Sequence, residues 1–272
     1  MYRRRPAVAG SFYPSDPDRL GAMIDACLEE ASGTVDPGDP LGVISPHAGY
    51  IYSGPIAAFA FRRLNPKVAR AVVLAPSHRG RFNGAAIVPE GCYETPLGDV
   101  AIDGDISGAL ASLEHFTTLR EAHELEHSLE VQLPFLQKVL TQFTIVPIII
   151  GTTDLAMCRE IAKGLGGVLS GDGVKTAIVI STDLSHYHPY DAAKVLDRRF
   201  IEAVASMDES RVKEAIASGR AEACGEGPVI AGMALCKAMG ATKAEVLKYA
   251  NSGDTAGGRD QVVGYFAASF EK

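Results

Sequence analysis

The chain has 272 residues, of which 47% are hydrophobic and 22% are charged, and its formal net charge is -7. This mixture is typical of a globular protein and excludes a disordered or fibrous chain. One α/β domain is expected over residues 1 to 272, because folds of roughly 200 to 250 residues often stay undivided. The acidic balance disfavours nucleic acid as a partner. No apolar run reaches the roughly 20 residues that cross a bilayer, and no secretory signal is recognisable, so we expect a cytoplasmic protein that does not bind membranes.

Short apolar runs alternate with segments of helical periodicity along the chain. Strands are predicted at 41 to 45, 70 to 76, 143 to 150, 175 to 181, 245 to 251 and 261 to 269. Helices are predicted at 15 to 31, 54 to 64, 126 to 140, 154 to 169, 190 to 205, 208 to 218 and 228 to 239. This alternation indicates a largely parallel sheet that is covered on both faces. The glycine-rich connection SGDTAGGRD between the last two strands predicts that part of the sheet is antiparallel.

Three of the predicted strands run directly into polar residues. His47 follows the strand at 41 to 45, His78 follows the strand at 70 to 76, and Asp183 and His186 follow the strand at 175 to 181. The carboxyl ends of parallel strands meet at one edge of the sheet, and ligands bind in the crevice beyond them. Imidazole is a common ligand for Zn, Fe, Cu and Ni, and a carboxylate beside it can bind the metal, orient a ring N–H or move a proton. The pattern favours a metal site, although a single histidine at a strand end is more often an ordinary loop residue.

Two other segments are candidates for the same site. His127 and Glu130 are three residues apart and share one face of a predicted helix, which makes His127 a candidate catalytic group and the pair a candidate base. A solvated helix start with acidic residues near its positive end is an equally good interpretation. Cys224 comes just before a predicted helix, where amide donors and the helix dipole should lower the thiol pKa and favour the thiolate. The sequence has five widely spaced cysteines and no CxxC pair, so a structural zinc site is not expected.

The loops near the first two histidines supply candidate substrate contacts. Phe12, Tyr52 and Arg79 are the residues that we expect to touch a substrate. Tyr52 could present its phenol to a pocket, and packing over the sheet edge is at least as good an interpretation. Arg79 and Arg81 could meet an anion, whereas exposed loop arginines are usually only solvated. Phosphate-binding GxGxxG and GxxxxGK[ST] patterns are absent from the sequence, which disfavours a nucleotide site.

The ordered set of motifs resembles one known family. From about residue 5 to the carboxyl end, the chain is similar to the Memo-like family, whose prokaryotic members are called AmmeMemoRadiSam system protein B. The motifs that carry the resemblance are VAGSFYP, ISPHAGYIYSG, LAPSHRG, ETPLGD, EHSLEVQLPFL, STDLSHYH and CGEGPVIAGM. Each motif alone is weak, but their order is specific.

The resemblance implies a fold and a set of ligands. The family's fold is similar to that of the class III extradiol dioxygenases, which implies a three-layer α/β/α sandwich around a mixed, mostly parallel sheet. It also implies a metal position made by His47, His78 and Cys224, with Asp183 and His186 beside it in catalytic roles. Extradiol dioxygenases hold Fe(II) with two histidines and a carboxylate. A thiolate in the third position is softer and admits copper or zinc as well as Fe(II), so ring cleavage does not follow from the resemblance.

Three functions are compatible with this ligand set. The first is a redox or oxygen-using enzyme with Fe(II), or with copper, that acts on an unknown small molecule. The second is a binding module that receives a peptide or an anion in the same crevice without turnover. The third is a zinc hydrolase or a thiol enzyme that uses Cys224. The family name also implies a pathway shared with a radical-SAM protein.

Overall fold

The computed structural model describes residues 2–272, which form twelve strands and eleven helices. The strands are β1 (Arg3–Arg4), β2 (Gly42–Ser45), β3 (Arg70–Pro76), β4 (Ala85–Ile87), β5 (Cys92–Thr95), β6 (Gly98–Ala101), β7 (Phe116–Thr118), β8 (Thr144–Ile150), β9 (Thr176–Ser181), β10 (His186–His188), β11 (Lys243–Asn251) and β12 (Val262–Glu271). The helices are α1 (Pro17–Ser32), α2 (Tyr50–Arg63), α3 (Gly104–Leu110), α4 (Glu121–Glu124), α5 (His127–Glu130), α6 (Leu133–Val139), α7 (Leu155–Leu169), α8 (Tyr190–Ala205), α9 (Glu209–Ala217), α10 (Glu226–Ala238) and α11 (Ser252–Thr255).

Nine strands form one mixed sheet, in the order β10-β12-β2-β9-β3-β8-β4-β7, with β11 paired to β12. The four central strands, β2, β9, β3 and β8, are mutually parallel. The antiparallel strands β12 and β4 flank them on the two sides. The short strands β1, β5 and β6 make a separate three-stranded sheet. The carboxyl ends of the four central strands therefore lie side by side at one edge.

The central strands are hydrophobic along their whole length because both faces of the sheet are covered. In β3, Val73 belongs to the core beneath α1 and α2, whereas its neighbours Val72 and Leu74 belong to the core beneath α7 and α10. This alternation follows from the two-residue period of a strand. The result is the three-layer α/β/α sandwich with a mixed, mostly parallel sheet that the family resemblance implied.

The helices begin where their capping residues lie. The carboxylate of Asp16 accepts the Arg19 N–H at the start of α1, and that of Asp154 accepts the Met157 N–H at the start of α7. Such caps satisfy amide donors that have no partner inside the helix. The longest helices have 16 residues, and no helix in residues 2–272 is both long and apolar enough to cross a membrane.

The six predicted strands are all present, with boundaries within two residues. The predicted helix at 126 to 140 was wrong, because two short helices, α5 and α6, occupy this segment. Pro134 lies in the first turn of α6, where its missing N–H costs nothing, but it cannot continue a helix that started at His127. Helix α2 also begins earlier than predicted, at Tyr50, and includes Pro55.

Candidate metal centre

The order of the central strands brings three histidines together. His47 follows β2 and His78 follows β3, and β9 lies between these two strands in the sheet. His127 reaches the same point from the first position of α5. One ring nitrogen from each of the three residues lies within 4.8 Å of the others. The ring centroids are 5.2 Å apart for His47 and His78, and 4.7 Å apart for His78 and His127. This cluster could hold a metal ion.

The hydrogen bonds of Ser181 decide which nitrogen of His47 is free. The Ser181 hydroxyl donates to the Ser128 carbonyl oxygen at 2.7 Å and accepts from the Gln132 side-chain amide at 2.9 Å. Its oxygen is 2.7 Å from His47 Nδ1, and because its single proton is already used, it must accept the Nδ1–H of His47. The lone pair of His47 is therefore on Nε2.

His78 is oriented in the same sense by a carboxylate. The Glu126 side chain accepts the His78 backbone N–H at 2.6 Å, and its other oxygen is 2.9 Å from His78 Nδ1. A carboxylate can only accept, so Nδ1 carries the proton and Nε2 carries the lone pair. Carboxylate–histidine–metal arrangements of this kind fix the ring and raise its basicity.

The thiol of Cys224 lies beside the cluster. Its Sγ is 3.1 Å from His47 Nε2 and accepts the Asp183 backbone N–H at 3.2 Å. Burial, followed by the negative charge of Asp183, raises the pKa of the Cys224 thiol. This direction is opposite to the one that the helix start predicted, because the loss of water around the sulfur outweighs the helix dipole. A cation at this point would reverse the balance by stabilising the thiolate.

Burial favours the neutral imidazole in two residues of this cluster, His47 and His127, by lowering their pKa. It lowers the pKa of His47 well below its ordinary value, and the neighbouring His78 and His127 lower it further. Burial likewise lowers the pKa of His127 to about 4, although the charge of Glu126 opposes the change. Neutral imidazole is the form that binds metals.

The donor set fits a transition metal better than a hard cation. It offers neutral nitrogens and a sulfur, which suit iron, copper or zinc, whereas Mg²⁺ and Ca²⁺ prefer oxygen ligands. Donor atoms bound to one tetrahedral ion lie roughly 3.3 to 3.6 Å apart, given bond lengths near 2.0 to 2.3 Å. The 3.1 Å between Cys224 Sγ and His47 Nε2 is close to this range. The two atoms could share one ion after a small adjustment.

Asp183 and His186 follow β9 at the same edge. Asp183 Oδ1 accepts the His47 backbone N–H at 2.7 Å, and its Oδ2 is 4.0 Å from His47 Nε2. Burial raises the pKa of Asp183 to about 7, although hydrogen bonds from the His47 and Ala48 N–H groups oppose the shift. His186 Nδ1 is 2.8 Å from the Leu184 carbonyl oxygen, so it donates there and leaves Nε2 free. Both residues line the pocket beside the three histidines.

The pocket above the histidines has a volume of about 660 Å³. Phe12, Tyr52, Tyr187 and Tyr265 supply aromatic walls, and the Phe12 ring lies 4.9 Å from the His127 ring. No lysine or arginine of residues 2–272 lines it. Arg79, predicted as a substrate contact, lies outside this lining, and its Nε donates to the Leu125 carbonyl oxygen at 3.3 Å.

Glu130 was a candidate to act as a base together with His127, but its hydrogen bonds go to the amino-terminal segment and not to the histidine cluster. Its buried carboxylate binds the Arg4 guanidinium and accepts the backbone N–H groups of Ala7 and Val8 at 2.8 and 3.1 Å. It also accepts the Tyr13 hydroxyl. Glu130 thus fixes the amino-terminal segment that carries Phe12, while Glu126 is the carboxylate that supports the cluster.

Ser181 and Gln132, which fix the orientation of the His47 ring, could not be recognised as site residues from the sequence. Ser181 is the last residue of an apolar strand, and Gln132 lies in the break between α5 and α6. Neither position stands out in a sequence, because each makes its bonds to residues about 50 positions away. The aromatic Tyr265 of β12 was missed because its strand reads as ordinary core.

The known proteins that are similar to this chain all point to one family. The family model described as "Memo-like protein" matches residues 4–269. A MEMO1 family protein of Methanopyrus kandleri is 40% identical, over 99% of this chain and 99% of its own length. A MEMO1 family protein of Methanothermobacter thermautotrophicus is 38% identical over 96% of this chain, and one of Nitrosopumilus maritimus is 36% identical over 98%. The range matched by the family model includes His47, His78, His127 and Cys224.

Proposed function

This chain belongs to the Memo-like family, and from that membership and the histidine cluster we propose that it is a metal-dependent redox enzyme. Iron or copper would be held by His47 and His78, with Cys224 as the third ligand. A bound redox metal would supply the capacity to activate oxygen or a reduced oxygen species. The substrate would occupy the aromatic pocket, where it faces the metal position.

The proposal is carried by the orientation of two imidazoles. Ser181 and Glu126 each accept an Nδ1–H, so the Nε2 lone pairs of His47 and His78 are both free, and one ring nitrogen of each residue lies within 4.8 Å of the other. The Nε2 lone pair of His47 is buried, so it needs a cation or a donor. The Cys224 thiol can donate to His47 Nε2 at 3.1 Å, and a metal ion that replaced this proton would bind both atoms.

The side chains around the metal position have separate tasks. His186 would take a proton from the substrate at its free Nε2, because imidazole transfers protons near neutrality. Asp183 holds the loop of His47 and would receive or return a proton at Oδ2. Phe12 and Tyr52 would position the substrate and exclude water from it. The pocket lacks cationic side chains in the described chain, which favours an uncharged substrate over an anionic peptide.

Elemental analysis of protein purified without air tests the proposal. We expect close to one equivalent of iron or copper per chain, and loss of that metal in the double variant His47→Ala, His78→Ala. His115→Asn is the matched control, because His115 lies away from the cluster and asparagine tolerates its positive φ of 72°. Metal retained undiminished by the double variant would refute the proposal.

Cobalt substitution identifies the third ligand. If Cys224 binds the metal, the Co(II) protein should show a sulfur-to-metal charge-transfer band that is lost in Cys224→Ser and retained in His127→Ala. If His127 is the ligand instead, Cys224→Ser should leave both the spectrum and the metal content unchanged.

A zinc hydrolase is the second candidate, and the grouping of His47, His78 and His127 favours it. Three neutral imidazoles with an open fourth position make a hydrolytic zinc site. Near-stoichiometric zinc in protein purified from cells grown with balanced metals, combined with retention of that zinc in Cys224→Ser, would select this function over redox chemistry.

A further inference from the structure

A second cleft, of about 860 Å³, lies on the sulfur side of the candidate metal centre. It shares no lining residue with the aromatic pocket. Cys224 lines this second cleft, His47 lines the aromatic pocket, and their side chains touch at 3.1 Å. The Cys224–His47 contact is therefore the partition between the two spaces. Cys224 is half-buried, whereas the other four cysteines are buried.

The chemistry of the second cleft differs from that of the aromatic pocket. Ser77, Asn83, Thr152 and Thr153 give it hydroxyl and amide groups, and Phe82 is the single aromatic residue of 2–272 that lines it. Its volume lies in the range typical of small-molecule sites. Such a lining suits a hydrophilic ligand, whereas the aromatic pocket suits an apolar one.

Among the charged residues that line the second cleft, Arg81 and Asp154 form no ion pair in residues 2–272. The Glu226 carboxylate is bound by Lys213 at 2.9 Å, and Lys213 also donates to the Thr153 carbonyl oxygen. The Asp154 carboxylate caps α7 by accepting the Met157 N–H at 2.8 Å. Arg81 also lines the cleft, and it forms no ion pair with any acidic side chain in residues 2–272. A guanidinium in this state suits a carboxylate, which it can bind with two parallel hydrogen bonds.

We propose that the second cleft binds a small hydrophilic carboxylate and gives it a separate path to the Cys224 face of the centre. This inference rests on the proposed function in one respect only, the role of the ligand as a co-substrate. Binding of the carboxylate, and its path to Cys224, do not require a metal. The protein would then bind an apolar substrate and a polar acid on opposite sides of one ion.

Alkylation of Cys224 in the metal-free protein tests the path and the charge preference together. Iodoacetate carries a carboxylate, and iodoacetamide is its uncharged analogue. We measure the rate with iodoacetate relative to the rate with iodoacetamide. We expect this ratio to be about threefold to tenfold higher in the folded protein than in the protein unfolded in urea, because Arg81 attracts the carboxylate. Arg81→Ala should bring the ratio back to the unfolded value. Arg79→Ala is the matched control, because Arg79 is in the same loop but does not line the cleft.

Two bulky substitutions test which space leads to the sulfur. Thr153→Trp, in the second cleft, should slow alkylation by both reagents. Gly258→Trp should not, because Gly258 lines the aromatic pocket, and a Cβ added there meets no neighbour within 4 Å. Glycolate should protect Cys224 from iodoacetamide, and ethylene glycol, which lacks the carboxylate, should not.

Three outcomes would overturn the inference. They are a folded-state ratio equal to the unfolded one, slower alkylation in Gly258→Trp but not in Thr153→Trp, and a Cys224 that reacts only after unfolding. The proposed function fails separately, on the metal content of the native protein. A protein that binds no metal but shows the expected alkylation pattern would retain the carboxylate site and lose the redox role.

Discussion

Glu126 binds His78 through two atoms at once, the backbone N–H at 2.6 Å and the ring Nδ1 at 2.9 Å. Burial alone would raise the pKa of Glu126, but hydrogen bonds from His78 and from the Ser128 N–H outweigh it and lower that pKa to about 2. The carboxylate is therefore charged at neutral pH. It holds one proton on Nδ1 and leaves the opposite nitrogen of the ring for a ligand.

Replacing Glu126 with glutamine should weaken metal binding by about 10- to 100-fold, because the charge that orients and strengthens His78 is lost. The measurement is competition for the metal against a chelator of known affinity. Glu124→Gln is the control, since Glu124 is exposed and belongs to the neighbouring helix α4. Equal affinities in the two variants would show that Glu126 does not support the centre.

Replacing Arg4 with methionine should destabilise the fold by about 3 to 5 kcal/mol, because it leaves the Glu130 carboxylate buried without its countercharge. Arg4 also donates to the carbonyl oxygens of His123 and Glu126, at 3.0 and 2.6 Å, so two more acceptors would lose their partner. The measurement is urea unfolding of the metal-free protein. Arg3→Met is a close control, because Arg3 is half-exposed and its ion pairs with Glu94 and Asp99 lie at the surface.

We expect Arg3→Met to change the urea midpoint little. The double variant Arg4→Met, Glu130→Gln should be less destabilised than the sum of its single variants, because it removes both charges of the pair. A similar loss of stability in Arg3→Met and Arg4→Met would contradict the role given to the buried pair.

The central sheet could be predicted because its strands are short runs that are hydrophobic along their whole length. The run at 70 to 76 is buried over its whole length and forms β3 with the predicted boundaries. His47 and His78 could be placed near each other for the same reason, since parallel strands end at one edge. Strands such as β4 and β7 have three residues each, which is too short for any period to be read.

The residues that support the metal centre could not be predicted, because their roles depend on where each side chain points and on how deeply it is buried. His127 and Glu130 share a helical spacing, but α5 has only four residues, and Glu130 points to Arg4, 126 positions earlier in the chain. The pKa of Cys224 was predicted in the wrong direction because a helix start is visible in the sequence and the burial of a sulfur is not. The two separate clefts likewise depend on packing between distant segments.

Replacing Gly227 with alanine should destabilise the protein by about 1 to 3 kcal/mol and disturb the position of Cys224. A Cβ at Gly227 would lie 2.1 Å from the Thr152 carbonyl oxygen, so the start of α10 would have to move. The measurements are the urea midpoint and the Co(II) spectrum. Gly167→Ala, in α7, is the control: no atom lies within 4 Å of its Cβ position, and alanine should stabilise the helix by up to about 1 kcal/mol. Gly227→Ala with unchanged stability would mean that α10 can shift freely.

The ion pair of Arg70 with Asp103 should make the free energy of unfolding decrease as the pH is lowered. Their side chains are 2.7 Å apart and mostly buried. Burial alone would raise the pKa of Asp103, but hydrogen bonds from Arg70 and from the Ile106 N–H outweigh it and lower that pKa. A lowered folded-state pKa means that the contribution to stability is complete above the unfolded-state value of about 3.9, and is lost as the pH falls through the folded-state value.

Asp103→Asn should therefore cost most at pH values above about 5, and the difference from the natural protein should shrink below about pH 4. Asparagine can still cap α3, as Asp103 does by accepting the Ile106 N–H, so the variant removes the charge and keeps the cap. Free energies of unfolding in urea at several pH values measure the effect, and Asp105→Asn, an exposed position of the same helix, should show no such pH trend. A cost of Asp103→Asn that stays constant down to pH 3 would mean that the lost charge is not what destabilises the variant.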